Sequence, residues 1–157
     1  MHCECRLSGV AISLLFSLTV CGCAPTMGTM HAYPGPNRSL SEVAIIEPSA
    51  HSGDVSVIVE VDGKIVERTL PGFQKQIAVL PGKHEVEAYQ GVSVGTTSIP
   101  AESQTLSFLA EAGHTYRVGG YSMTFYVSGK LVGVAAEMWI EDAQTGAVVA
   151  GERPPHL

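Results

Sequence analysis

Cysteine is missing from almost the whole sequence. The chain has 157 residues and four cysteines, and all four lie within the first 23 positions, at Cys3, Cys5, Cys21 and Cys23. Every later residue therefore lacks a thiol, which excludes a domain held together by disulfide bonds. A folded body built from this chain must be stabilised by its apolar core.

Positive charge is also scarce. Nine lysine and arginine residues stand against 15 aspartate and glutamate residues, so the formal net charge is −6, and the basic residues form no cluster. Proteins that bind phosphate backbones carry a basic patch or stripe. We therefore expect no nucleic-acid partner. The length suits one domain of ordinary size.

Only one long apolar run is present, and it lies near the start. Residues 7–20 form an almost unbroken apolar stretch of 14 residues, which is shorter than the roughly 20 residues that a membrane-spanning helix needs. The stretch has the length of the apolar region in a secretory signal peptide. It predicts export of the chain rather than a membrane-spanning segment.

The apolar run ends in Val20-Cys21-Gly22-Cys23, which resembles the lipobox of bacterial lipoproteins. The resemblance implies that residues 1–22 are a signal peptide, that the bond between Gly22 and Cys23 is cut, and that Cys23 receives a diacylglycerol. A poorer box ends at Cys21, which is the alternative attachment site. The alternative interpretations are a cleaved signal peptide without lipid and an uncleaved membrane anchor.

The residues after the anchor indicate location and flexibility. Ala24, rather than aspartate, follows Cys23, and the resemblance to lipoproteins then implies the outer membrane of the bacterial cell envelope, with the protein facing the periplasm. Acyl chains would hold the protein at the membrane. Residues 23–41 contain proline and glycine but no apolar periodicity, so we expect a flexible tether there.

Leucine is rare in the rest of the chain. From Cys23 onward there are seven leucines but 32 valine, isoleucine and threonine residues, and side chains branched at Cβ favour strands. Valine occupies every second position of 55–61, and Asp62-Gly63 then predicts a type I′ hairpin. The other expected strands cover residues 42–47, 64–70, 76–80, 85–89, 105–110, 115–118, 123–127, 131–140 in part and 147–150.

Turn signals separate these short strands, and no helical pattern lies between them. The arrangement predicts an all-β sandwich over residues 42–151, with a long loop at 90–104 and a tail at 152–157. The D-G turn at 62–63 and the P-G-K-H-E-V sequence at 81–86 resemble the β-sandwich modules called PEGA domains. Such turns also recur in immunoglobulin-like and transthyretin-like sandwiches. Residues 111–118, 139–143 and 145–146 are similar to uncharacterised proteobacterial lipoproteins.

One motif offers catalytic chemistry. Residues 91–95 fit G-x-S-x-G, the serine nucleophile elbow of α/β-hydrolases, with Ser93 as the nucleophile. The elbow requires a strand that turns sharply into a helix, whereas the next residues are β-branched and end in Pro100, which is poor helix material. We expect a polar loop here and no catalytic residue. A small envelope serine hydrolase that uses Ser93 is the alternative.

Histidines and aromatic residues are the remaining candidates. The histidines are far apart and form no paired spacing of the kind that binds metals, so we expect no metal and no cofactor. Aromatic side chains usually fill small cores. The functional interpretation is that some of them form a binding surface for an envelope protein or a glycan, and the candidates are Tyr121, Tyr126 and Trp139.

Together these patterns predict a lipid-anchored, non-catalytic binding or assembly module of the cell envelope. Two alternatives come from other functional classes. One is the Ser93 hydrolase. The other is an inhibitor or chaperone-like binder that adds a partner strand to an exposed sheet edge, which requires a long edge strand without charge or proline.

Overall fold

A computed structural model describes residues 28–51, 54–66, 76–94 and 97–155. The predicted signal peptide, Cys23 and residues 67–70 of the strand predicted at 64–70 lie outside these residues. The described residues form twelve strands and no helix: β1 Met30–His31, β2 Ala44–Pro48, β3 Ala50–His51, β4 Asp54–Val61, β5 Lys64–Ile65, β6 Ile77–Val79, β7 Gly82–Val94, β8 Thr97–Pro100, β9 Gln104–Ala110, β10 Thr115–Val127, β11 Lys130–Asp142 and β12 Val148–Gly151. No helix in this part of the chain has the length and hydropathy needed to cross a bilayer.

The strands form two sheets. The first has the order β1-β6-β2-β10-β11-β12, and the second has the order β3-β4-β7-β8, with β5 paired to β4 and β9 paired to β7. Two pairs in the first sheet are parallel, β1 with β6 and β2 with β10, and the other pairs are antiparallel. This confirms the predicted all-β sandwich. The immunoglobulin-like or PEGA type stays a prediction.

The core lies between the sheets and is made of the side chains that alternate inward. In β9, for example, Leu106, Phe108 and Ala110 are buried while their neighbours are exposed. They pack with residues of the other sheet such as Tyr116 and Ile140. The period-2 pattern of a strand buries one face in this way. Aliphatic residues dominate this core, as the composition predicted.

Two tight hairpins use the expected left-handed backbone. Asp62 and Gly63 have φ values of 50° and 75°, and Ser128 and Gly129 have the same two values. Positive φ at both central residues is the geometry of a type I′ turn, which matches the twist of the flanking strands. The hairpin prediction at Asp62-Gly63 is therefore confirmed.

The predicted loop at 90–104 is wrong. Strand β7 continues to Val94, and β8 returns beside it, with Val92 opposite Ile99 and Ser93 opposite Ser98. Thr97 and Ile99, two of the β-branched residues that argued against a helix, lie in β8. Strand β10 unites the two strands that were predicted at 115–118 and 123–127, and Gly119 and Gly120 lie inside it. A side chain at Gly120 would run into Gln90 and Met138, so close packing rather than a turn explains this glycine.

The expectation of a flexible tether at 23–41 is wrong for part of that range. Strand β1 pairs with β6, and the next two residues, Ala32 and Tyr33, are buried. Tyr33 packs in a second apolar cluster with Val43 and Ile45. The Lys64 ammonium group also donates to the Ala32 carbonyl. A single tyrosine and a short parallel pairing carry too little periodicity to be recognised in a proline-rich sequence.

The sandwich has two chemically different ends. One end, called the polar end below, carries the turns at 62–63, 112–113 and 143–145, where β7 and β10 begin and β4 and β11 stop. The other end, called the apolar end, is formed by the last residues of β7, the first residues of β8 and the tip of the β10–β11 hairpin.

Candidate functional site

The first of two histidine–aspartate pairs, His84 and Asp62, connects two turns at the polar end. His84 is buried, and its Nδ1 lies 2.6 Å from a carboxylate oxygen of Asp62 while its Nε2 lies 2.6 Å from the Leu80 carbonyl oxygen. The second Asp62 oxygen accepts from the Glu85 N–H at 2.9 Å. Both ring nitrogens are therefore engaged inside the fold. His84 orders the two turns that the PEGA resemblance rested on.

The second pair closes the turn after β11. His114 Nδ1 lies 2.5 Å from Asp142 Oδ2, and Asp142 Oδ1 accepts the backbone N–H groups of Gln144 and Thr145 at 2.8 and 3.0 Å. Burial by itself raises the pKa of Asp142, but these hydrogen bonds from His114 and the two N–H groups together outweigh it, so the pKa lies below its ordinary value. The carboxylate is thus held ionised by its turn.

A row of aromatic and histidine rings extends across the core from one histidine–aspartate pair to the other. The ring centroids are 6.2 Å apart for His84 and Phe108, 4.8 Å for Phe108 and Tyr116, and 6.2 Å for Tyr116 and His114. Burial raises the pKa of Tyr116, and its hydroxyl accepts the Glu111 N–H at 2.9 Å. Offset and tilted rings at these distances attract one another. The row closes the polar end of the core.

The polar end has one feature that catalysis also uses, a histidine oriented by an aspartate. The other ring nitrogen of His114, Nε2, faces the Glu111 carboxylate at 3.8 Å rather than a hydroxyl or thiol. Within the described ranges no group of three histidine, cysteine, aspartate or glutamate side chains is arranged to hold a metal ion. The contacts of both histidines are those of turn-stabilising residues.

Ser93 is not at a nucleophile elbow. It lies within β7, and its Cα partner in β8 is Ser98, so the chain at this point is a strand in an antiparallel hairpin. The elbow places its serine where a strand turns into a helix. The polar loop expected at this position is corrected, because the residues lie in β7 and β8.

The three aromatic candidates lie in different surroundings. Trp139 is only 5% exposed, so it does not contribute to an exposed surface. Its indole ring covers Gly119, where an added Cβ would come within 2.7 Å of the ring. Tyr121 is half-buried. Tyr126 is 55% exposed and lies at the tip of β10, so it alone of the three is fully available to a partner.

Tyr126 belongs to a larger exposed cluster at the apolar end. Its neighbours Phe125 and Val127 are 49% and 61% exposed, and Val132 across the turn is 60% exposed. Sequence reasoning missed Phe125, Val127 and Val132 as surface residues. A signal was present, since residues 118–136 contain one charged residue, Lys130. Exposed apolar side chains that adjoin one another mark interaction sites, whereas single ones do not.

The exposed cluster lies where the β10–β11 hairpin extends past its neighbours. Pairing of β10 with β2 stops at Val118, and pairing of β11 with β12 stops at Trp139. Beyond these points, within the described residues, β10 and β11 pair as strands only with each other. A register shift between Phe125 and Tyr126 bends the ribbon near its tip.

An open groove separates this ribbon from the β7–β8 hairpin. Its volume is about 260 Å³, and it is lined by Ile99, Pro100 and residues 131–134 of β11. All of these residues are apolar or glycine. The apolar end therefore combines an exposed hairpin tip with an apolar groove beside it.

Comparison with known proteins adds no identification. No protein-family model, no curated protein and no solved structure matches the chain. The likeness to lipoproteins and to PEGA domains stays a prediction from the sequence.

Proposed function

We propose that the protein is a lipid-anchored, non-catalytic binding or assembly module that faces the periplasm from the outer membrane of a bacterial cell envelope. The observation that carries the binding role is the exposed cluster of Phe125, Tyr126, Val127 and Val132 at one end of the sandwich. The anchor is supported by Val20-Cys21-Gly22-Cys23 and the apolar run before it.

The distribution of polar groups supports a binding role rather than catalysis. The two histidine–aspartate pairs are used to hold turns, and they lie at the polar end, away from the exposed cluster and the groove. Catalytic sites normally bring perturbed titratable groups to a concave surface. The groove of this protein is lined by apolar residues, which suits contact rather than chemistry.

The anchor is tested by mass spectrometry of the amino-terminal peptide from the full chain expressed in bacteria. We expect a peptide that begins at Cys23 and carries a diacylglycerol. Cys21→Ser is the matched control and should leave the modification intact, whereas Cys23→Ser should abolish it. An unmodified peptide that retains residues 1–22 would contradict the lipoprotein assignment.

A specific observation also favours strand addition as a second candidate function. Strand β9, Gln104–Ala110, is seven residues long and contains no charge and no proline. Within the described residues it pairs with β7 alone. An unblunted edge strand of this kind can accept a partner strand through main-chain hydrogen bonds.

Crosslinking in intact cells separates the two binding modes. A photoreactive residue is placed at Ser107 on β9 in one variant and at Val127 on the hairpin tip in another. Adducts with a protein from Ser107 and none from Val127 would favour strand addition. Ala112 in the turn at the polar end supplies the control position, and equal adducts from all three positions would argue against a defined binding surface.

A further inference from the structure

We propose that the tip of the β10–β11 hairpin, residues 124–132, inserts into the surface of a lipid bilayer. The inference rests on the proposed function, because the membrane concerned is the one to which Cys23 is attached. It deepens that function by naming the lipid surface as what covers the apolar end.

The tip exposes apolar groups on both faces of the ribbon. Successive side chains in a strand point to opposite faces, so Phe125 and Val127 lie on one face and Tyr126 on the other. All three are about half exposed or more. A protein that docks on one face would leave the other in water, whereas a hairpin that enters a bilayer is surrounded by apolar material on every side.

The charge distribution also favours an approach to the membrane through the hairpin tip. The chain carries a net charge of −6, yet residues 118–136 contain only Lys130, which is exposed beside the Ser128-Gly129 turn. A lysine stem can lie along apolar surface while its ammonium group reaches the lipid headgroups. Anionic headgroups would repel the acidic remainder of the surface, so the apolar end is the part that can approach closely.

The direction of β1 is consistent with an anchor at the same end. Strand β1 is parallel to β6, β6 is antiparallel to β2, and β2 is parallel to β10. Strand β1 therefore runs opposite to β10, and the chain that precedes Met30 leaves the sheet toward the apolar end. The described residues that precede β1, Gly28 and Thr29, are thus on the side on which the hairpin projects.

The lengths are compatible with contact. Met30 is level with Tyr116, because both are in register with the β2–β6 pair Ile46 and Ile77. The seven residues before Met30, starting at Cys23, span at most about 25 Å when extended. From Tyr116 to Val127 the strand rises about 37 Å. The tip therefore reaches at least about 12 Å beyond Cys23 even when this connection is fully extended, which is slightly more than the depth of about 5–10 Å typical of interfacial insertion.

Fluorescence quenching tests the insertion directly. The mature lipoprotein, purified from cells that express the full chain, is reconstituted into phosphatidylethanolamine–phosphatidylglycerol vesicles that contain nitroxide-labelled lipids. Because the body lacks cysteine after Cys23, Ser128→Cys and, as control, Ala112→Cys each supply one position for an environment-sensitive fluorophore. We expect a blue shift and quenching at position 128 and neither at position 112.

Substitutions at the tip supply the matched comparison. Tyr126→Glu with Val127→Glu should abolish the blue shift and quenching at position 128. Leu109→Glu replaces a similarly exposed apolar residue near the polar end and should leave both signals unchanged. If the double variant fails to fold, as judged by circular dichroism, the comparison of positions 128 and 112 in the unsubstituted background still decides the question.

The outcomes separate this inference from the proposed function. An acylated Cys23 with an unquenched fluorophore at position 128 would overturn the insertion while leaving the lipid anchor in place. A quenched fluorophore on a protein whose Cys23 carries no lipid would support the insertion and overturn the anchor. A photoreactive residue at position 127 that captures a protein instead of lipid would also contradict the insertion.

Discussion

Among the residues that the structure describes, the closest packing between a glycine and an aromatic ring occurs at Gly119. Trp139 lies directly across from it in β11, and an added Cβ would meet the indole ring at 2.7 Å. Gly119→Ala should therefore displace the ring and destabilise the fold by about 1–3 kcal/mol. Urea unfolding monitored by the fluorescence of Trp139, the chain's single tryptophan, measures both the stability and the ring's environment.

The control for this substitution lies in the same hairpin. At Gly133 the nearest atom to an added Cβ is Phe125 Cδ2, at 3.9 Å, which is ordinary contact. Gly133→Ala should be neutral or stabilising by up to about 1 kcal/mol, since alanine restricts the unfolded chain. Equal losses at positions 119 and 133 would show that the indole is not what requires glycine.

Asp142 makes the stability depend on pH. Its pKa is lowered in the folded state from an ordinary value of 3.8, so the unfolded chain binds the proton more readily. The carboxylate's contribution is fully present above about pH 5 and is lost as the pH falls through 3.8 and then through the lower folded pKa. Asp142→Asn should lower the free energy of unfolding by about 1–3 kcal/mol at neutral pH. It should also make the free energy of unfolding less dependent on pH below about pH 5.

Chemical denaturation at several pH values between 3 and 7 measures that pH profile. Glu137→Gln is the matched control, because Glu137 is an exposed carboxylate on the same strand. The Glu137→Gln variant should have the same free energy of unfolding as the unsubstituted protein, and the same decrease in that free energy at low pH. An Asp142→Asn profile parallel to the control's would contradict the role of the His114 and turn hydrogen bonds in holding Asp142 ionised.

The two type I′ turns differ in how well their residues suit the backbone. Asp62 and Ser128 share a φ of 50°, but asparagine and aspartate tolerate this left-handed region better than serine does. Ser128→Asn should therefore stabilise the hairpin by about 0.5 kcal/mol. Thermal unfolding in the absence of lipid measures the change. Gly129→Ala, which places a side chain at a φ of 75°, should act in the opposite direction.

Sequence patterns predicted the elements whose side chains alternate and whose turns have their own residue signals. Strand β4 and the turn at Asp62-Gly63 are of this kind, and β9 was predicted to within one residue. The β7–β8 hairpin was missed because Gly95 and Pro100 argued for a loop, while the pairing that fixes it comes from neighbouring strands. Propensity cannot report such tertiary support.

The candidate site was only partly predictable for a related reason. Alternation correctly separates the faces of β10, but it does not reveal where a neighbouring strand stops. Phe125 is exposed because the pairing of β10 with β2 ends seven residues earlier, at Val118. Trp139, in contrast, is buried although the residue opposite it in β10 is a glycine. The scarcity of charge over residues 118–136 was the one local signal of the exposed tip.

At the scale of the whole molecule, the core that stabilises the fold and the exposed cluster proposed to bind occupy different parts of the sandwich. The main core cluster takes Tyr116, Val118, Met138 and Ile140 from the β10–β11 pair and no residue from 121–135. The polar end is closed by the row of rings and the two histidine–aspartate pairs. The hairpin tip therefore contributes little to the stability of the body, which frees its side chains for contact.

This division predicts that the tip can be removed. Replacing residues 124–134 by Asn-Gly joins Met123 to Ala135, which are already opposite each other, through a turn that favours hairpins. The unfolding free energy should change by about 1 kcal/mol or less, while membrane insertion is lost. Val118→Ser, at a fully buried position of the same strand, should instead cost about 2–4 kcal/mol. Loss of a cooperative urea transition in the shortened chain would mean that the tip is part of the folding core.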